Sequence, residues 1–242
     1  RSLSLPVLMN LLQTMQAGWL NWLLPSYCAG CNQKRAHPNH PLCYQCLSEL
    51  PATDYEAQTG HALEQLFWGR IPLQSVTATW YLKPASSLQH CMHQLKYNHR
   101  PGIGVYLGSV AGKRMKQQNP SHHFDALIPL PLHPSKKRKR GYNQAERICQ
   151  GFAQATGIPV WDQIVQRNQS TETQTRKDRA QRWNNMEGKF SLHNTKPAIN
   201  KHLLLVDDVL TTGATLEACG QTLLQIPGVQ LSLFTLAYTE NR

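Results

Sequence analysis

The sequence predicts an α/β protein built on a doubly wound, mostly parallel sheet, with a small metal-binding module at its amino end. Three observations carry this reading. Leu203 to Val206 is an unbroken apolar run with the length and branching of a strand buried on both faces of a parallel sheet. Asp125 to Leu132 forms an earlier strand of the same kind, ended by Pro129 and Pro131. Upstream of both, Cys28, Cys31, Cys43 and Cys46 make two C-x-x-C pairs separated by eleven residues. That is the spacing of two knuckles closing on one tetrahedral metal.

Taken in order, the chain opens on an amphipathic helix over residues 1–24. Leu5, Leu8, Leu12, Met15, Trp19 and Trp22 step by three and four along one face. Asn10, Gln13, Gln16 and Asn21 interrupt the apolar run, so a membrane span is not expected. Nor is a signal peptide, since only Arg1 could supply its positive region and the helix runs straight into a cysteine module. The helix docks on its own domain or on a partner, with reversible membrane-surface contact as the alternative. The cysteine module covers 25–50. Four soft ligands in tetrahedral array suit zinc, and an iron site is the alternative. His37 and His40 in the connecting loop are read as loop residues, since four thiolates already close the site.

Residues 51 to 75 carry no clear pattern. Val76 to Leu82 alternates as a strand does. Leu88, Met92 and Leu95 mark a helix with Lys96 at its end, and Ile103, Leu107, Val110 and Ala111 mark a second. Cys91 falls in the core. After the Asp125 strand comes a loop with five consecutive cations, Lys136 to Arg140, and then a helix on Ala145, Ile148, Cys149 and Phe152 that stops at Gly157. Cations between a strand end and a helix start make an anion site, with a solvated loop or a DNA-backbone tract as the competing readings. Arg167 to Asn185 is polar and cationic, as a lid would be. Val229 to Leu236 is the last strand.

The chemistry concentrates after Val206. Asp207 and Asp208 end the apolar run, and Thr211, Thr212, Gly213, Ala214 and Thr215 lead into a helix on Leu216, Cys219 and Leu223. A small-residue turn at a helix start leaves backbone N–H groups free for a phosphate, and Gly213 lets it approach. Two carboxylates beside that seat can accept hydrogen bonds from two sugar hydroxyls or sit beside hydrated Mg²⁺. Together they describe a grip on a ribose 5-phosphate, against the plain alternative of a capped helix after a core strand.

Composition agrees. With 242 residues, 40% of them hydrophobic and 16% charged, the chain is globular rather than disordered. A net charge of +11 points to polyanionic company. Seven cysteines, four of them paired in knuckles, favour metal over disulfides.

The Asp207-Asp208 and T-T-G-A-T segment resembles the PRPP (phosphoribosyl pyrophosphate) motif of type I phosphoribosyltransferases. Nearly the whole chain resembles the ComF/GntX family of bacterial competence-associated proteins, which join a zinc ribbon to a phosphoribosyltransferase-like domain, here 75–242. The matching residues include Leu24-Pro25, Trp80-Tyr81, Leu95 to Tyr97, Pro129 to Pro134, Arg140 to Gln144, and Arg167, Thr171, Gln174, Arg182 and Asn185 in the lid. Three positions depart: Lys136 and Gln169 stand where the family has arginine, and Tyr142 where it has phenylalanine.

The resemblance implies that Asp207 and Asp208 orient the sugar and that Thr211 to Thr215 hold its 5-phosphate. Lys136, Arg140 and the helix start at Asn143 would face the pyrophosphate of PRPP, carried with Mg²⁺. It also implies a role in passage of single-stranded DNA during natural transformation, in the cytoplasm beside the inner membrane. Single-stranded DNA and other competence proteins would then be partners, with at most peripheral membrane contact. An active phosphoribosyltransferase of nucleotide metabolism and a PRPP-sensing regulator are the alternatives.

Overall fold

The computed structural model describes residues 27–36, 40–55, 60–120, 123–168 and 189–239. The predicted first helix, His37 and the lid from 169 onward, with Gln169, Thr171, Gln174, Arg182 and Asn185, lie outside these residues.

In chain order the elements are α1 (Tyr44–Ser48), α2 (Ala62–Gln65), β1 (Val76–Tyr81), α3 (Ser87–Tyr97) and α4 (Gly102–Gln118). There follow β2 (Ala126–Pro129), α5 (Pro134–Arg140), α6 (Gln144–Thr156), β3 (Val165–Arg167) and β4 (Phe190–Leu192). The chain closes with β5 (His202–Leu210), α7 (Ala214–Leu223) and β6 (Gln230–Tyr238).

Four strands form one parallel sheet in the order β1-β6-β5-β2. Leu203 to Val206 are fully buried because both sheet faces are covered. On one face Leu204 and Val206 join a core with Leu88, Leu95, Leu107, Ile148 and Phe152 from α3, α4 and α6. On the other, Leu203 and Leu205 pack with Leu63, Phe67, Leu216 and Leu223. The helices α4 and α6 approach so closely that a Cβ on Gly151 would lie 1.8 Å from the carbonyl oxygen of Val105, and one on Gly108 would lie 2.2 Å from that of Ile148. Only glycine fits there.

The doubly wound sheet is as predicted, and three local readings change. The strand expected to stop at Asp207 runs on to Leu210, because β6 continues to pair with it through Asp207–Thr235 and Leu210–Tyr238. The basic run expected to be a loop is the helix α5, started by Pro134 and His133, whose Nδ1 accepts from the Ser135 N–H, and ended by Gly141 at φ 81°. β1 does not alternate, since all but its last residue are buried.

The unpatterned stretch after residue 50 explains that burial. Thr53 donates its N–H to Thr79 and Tyr81 donates to Pro51, so this stretch covers the outer edge of β1. Leu63, Phe67 and Ile71 then fill the core beneath it.

Candidate functional site

β5 delivers the two carboxylates side by side at its carboxyl end. Asp208 follows Leu204 and Val206 toward α3, where Lys96 Nζ lies 2.9 Å from its Oδ2. Asp207 Oδ1 accepts the Asp208 backbone N–H at 2.8 Å. Burial, and then the charge of Asp208, push the Asp207 carboxyl up to about 8; the Asp208 N–H, Lys96 and Arg167 act against that rise. An acidic pair held this way binds partners that donate hydrogen bonds or bring positive charge.

The turn after β5 follows at once. Thr211, Thr212 and Thr215 are exposed, Ala214 is half-buried, and Gly213 caps α7 at φ 75° with no side chain closing the helix start. Its first N–H groups therefore face outward at the positive end of the helix dipole. Gly213 is required twice over. Its backbone is left-handed, and a Cβ there would lie 2.6 Å from the Phe67 ring.

The second predicted anion site lies on α5. Lys136 is exposed, and the half-buried Arg140 holds its guanidinium 5.7 Å from the centre of the Tyr97 ring. Asn143 is buried at the start of α6, where its Nδ2 donates to Leu130 O at 2.9 Å and its Oδ1 accepts from Ala145 N at 3.0 Å. The Asn143 side chain thus fixes the backbone between α5 and α6. A cavity of about 570 Å³ opens here, lined by Lys137, Arg138, Asn143, Glu146 and Arg167 among others. Another, of about 470 Å³, lies by Phe124 and Asp125 at the opposite, amino end of β2.

The four cysteine sulfurs lie within 4.8 Å of one another. A tetrahedral metal about 2.3 Å from each thiolate needs sulfur spacings of about 3.8 Å, so the cluster fits a metal such as zinc. Backbone N–H groups of Gly30 and Cys43 donate to Cys28 Sγ at 3.4 and 3.2 Å, as thiolate ligands require. The N–H groups of Gln33 and Lys34 bring the Cys31 thiol down to about 6. Burial pushes Cys46 up to about 12, and the neighbouring sulfurs add to that despite the Ser87 hydroxyl. Four such thiols ionise together only around a cation.

One connection escaped sequence reasoning. α3 joins the cysteine cluster to the carboxylates. At its start Ser87 Oγ donates to Cys46 Sγ at 3.5 Å, His90 Nδ1 lies 2.9 Å from Gly30 O, and Gln94 donates to Ala29 O at 3.0 Å. At its end Leu95 O accepts from the Tyr142 hydroxyl, Lys96 pairs with Asp208, and Tyr97 packs under Arg140. Leu95 to Tyr97 are visible in the sequence as part of a family pattern, but their roles depend on what α3 lies against.

A parallel sheet ending in an acidic pair and an open Thr-rich helix start defines a phosphoribosyltransferase-like fold, here carrying a four-cysteine module. The chain belongs to the ComF family. It is 30% identical to competence protein F of Haemophilus influenzae, over 87% of this chain and 89% of that one. It is also 30% identical to DNA utilization protein YhgH of Escherichia coli O6:H1, over 88% and 90%. No protein-family model matches the sequence. Solved structures overlap in part. Adenine phosphoribosyltransferase from Saccharomyces cerevisiae is 15% identical over 59% of this chain and 72% of its own, with a TM-score of 0.39. Glutamine PRPP amidotransferase from B. subtilis is 20% identical over 59% and 30%, with a TM-score of 0.41.

Proposed function

We propose that the protein acts in the uptake and use of single-stranded DNA, and that its phosphoribosyltransferase-like domain, 75–242, binds PRPP or a related ribose phosphate. The observation that carries the sugar reading is the acidic pair Asp207-Asp208 beside the uncapped start of α7. The names borne by its relatives, competence protein F and DNA utilization protein, support the DNA role. The net charge of +11 supports a polyanionic partner.

In this reading Asp207 and Asp208 accept hydrogen bonds from the 2- and 3-hydroxyls of the ribose. The N–H groups and hydroxyls of Thr211 to Thr215 hold the 5-phosphate, with Gly213 keeping the turn open. Lys136 and Arg140 face the pyrophosphate, and Asn143 holds the loop between them and α6. Mg²⁺ carried with PRPP would spread the charge of the pyrophosphate and of the carboxylates. Zinc in the Cys28, Cys31, Cys43 and Cys46 cluster is structural in this scheme, fixing module 25–50 against α3. We place the protein in the cytoplasm beside the inner membrane; among the described residues no helix is long and apolar enough to cross a membrane.

Calorimetric titration with PRPP and Mg²⁺, repeated with short single-stranded DNA present, tests this. Binding of both ligands with coupling between them is expected. Failure of PRPP to bind removes the sugar reading. Release of pyrophosphate with a nucleobase would instead favour the transferase reading, and PRPP binding without turnover that alters partner affinity would favour the sensor.

A further inference from the structure

We propose that the exposed face where the end of α3 meets α5 binds single-stranded nucleic acid. The Tyr97 ring is the stacking platform for one base, and the α5 cations contact the phosphodiesters on either side. Tyr97 is 63% exposed, a position an aromatic ring does not need for folding. Its ring is not bare. The Arg140 guanidinium lies 5.7 Å from its centre, and the exposed His93 ring lies 4.9 Å away at 45°. An aromatic ring flanked by a guanidinium, with the rest of its surface open to solvent, offers a nucleobase stacking area and nearby positive charge at once.

The charge around the platform is one-sided. α5 carries Lys136, Lys137, Arg138, Lys139 and Arg140 on seven residues. Among the described residues only Lys137 of these is ion-paired, to Glu146 at 2.7 Å. Lys136 and Arg140 stand four apart, on one side of the helix. That side meets Tyr97 through Arg140. A charge row beside an aromatic ring tracks a backbone while stacking an unpaired base, and such recognition is tolerant of sequence. A duplex hides its base faces and would gain only from the charges. A seven-residue helix is also too short to read a groove.

The platform stands next to the carboxylates, since Lys96, the residue before Tyr97, is the partner of Asp208. The choice of partner rests on the reading above. Lys136 and Arg140 are shared with the pyrophosphate end of the sugar site, whereas Lys139 belongs to this surface alone.

The test is fluorescence anisotropy of a fluorescein-labelled oligothymidylate titrated with the full chain at several salt concentrations. Tyr97→Ala is expected to weaken binding roughly tenfold or more with the salt slope unchanged, and Tyr97→Phe to bind as the wild type does. Lys139→Gln should lower the slope by about 0.7, the loss of one phosphate contact to a single strand. Calorimetry with PRPP and Mg²⁺ should give wild-type affinity for Lys139→Gln, a cation outside the sugar site. Should alanine disturb the end of α3 and lower both affinities, Tyr97→Leu keeps the apolar bulk without the π face. Oligonucleotide affinity equal to wild type in that variant overturns the proposal. So does equal competition by a hairpin duplex, or binding that does not respond to salt. Loss of PRPP binding in the wild type, with the Tyr97 pattern intact, removes the sugar reading and leaves this surface standing.

Discussion

Replacing Asp207 with asparagine should stabilise the ligand-free protein while destroying its sugar site. The folded state holds the Asp207 proton up to about pH 8, because burial and the adjacent Asp208 oppose ionisation. The unfolded chain releases that proton at the ordinary carboxyl value, so between the two the native state binds more protons. Native stability therefore falls as pH rises through this window and has lost the full amount above about pH 8. At about 1.4 kcal/mol for each tenfold change in proton affinity, the displacement corresponds to about 6 kcal/mol with no solvent screening. Asp207 is only partly buried and shares its charge with Asp208, which reduces the recoverable part to about 2 kcal/mol. Asparagine keeps the shape and removes the charge. Urea denaturation of both proteins across the pH range should show equal stability in acid and a growing advantage for Asp207→Asn toward pH 8, while PRPP binding is lost. An advantage that does not change with pH, or a variant less stable than wild type above neutrality, refutes the reasoning.

Four further outcomes are expected. Lys96→Met leaves the Asp208 carboxylate without its partner. Breaking a fully buried pair costs about 3–5 kcal/mol, and since the Lys96 side chain is 27% exposed, about 2 kcal/mol should appear in the urea midpoint. Gly213→Ala forces an L-residue into left-handed backbone against Phe67 and should cost about 2–4 kcal/mol by the same measurement. Zinc analysis should find one metal for the four thiols, and Cys28→Ser should abolish it. Hydrogen exchange in that variant should accelerate at the start of α3, where Ser87, His90 and Gln94 rest on the cluster. His61, stacked 4.3 Å from Tyr55, has its imidazole lowered by burial against the pull of Glu64 and of the Tyr55 backbone. The wild type should therefore lose stability as pH falls below the ordinary imidazole value, and His61→Phe should flatten that loss in acid denaturation.

Several features were legible because each rests on neighbours in the chain. The β5 run, the Gly157 stop of α6, the two cysteine knuckles and the Thr-rich turn before α7 are local patterns whose geometry follows from residue type and spacing. The C-x-x-C pairs even anticipate the meeting of residues fifteen apart, Cys28 and Cys43, since one tetrahedral site needs four ligands.

Other features had no local signal. Leu63, Phe67 and Ile71 look like any scattered apolar residues until the sheet provides the surface they cover. The basic run differs: its composition is solvated in either conformation, but Pro134 at the start and Gly141 at the stop are local signals that could have found the helix. The sequence alone thus determined which chemical groups stand together at the end of β5 and in the cysteine module. Tertiary structure decided their partners, bringing Lys96 to Asp208. It also set α3 between the cysteine cluster and the carboxylates. The reason is physical: spacing along a chain specifies period and turn, whereas a salt bridge between residues 96 and 208 exists only once separate elements have packed on a common sheet.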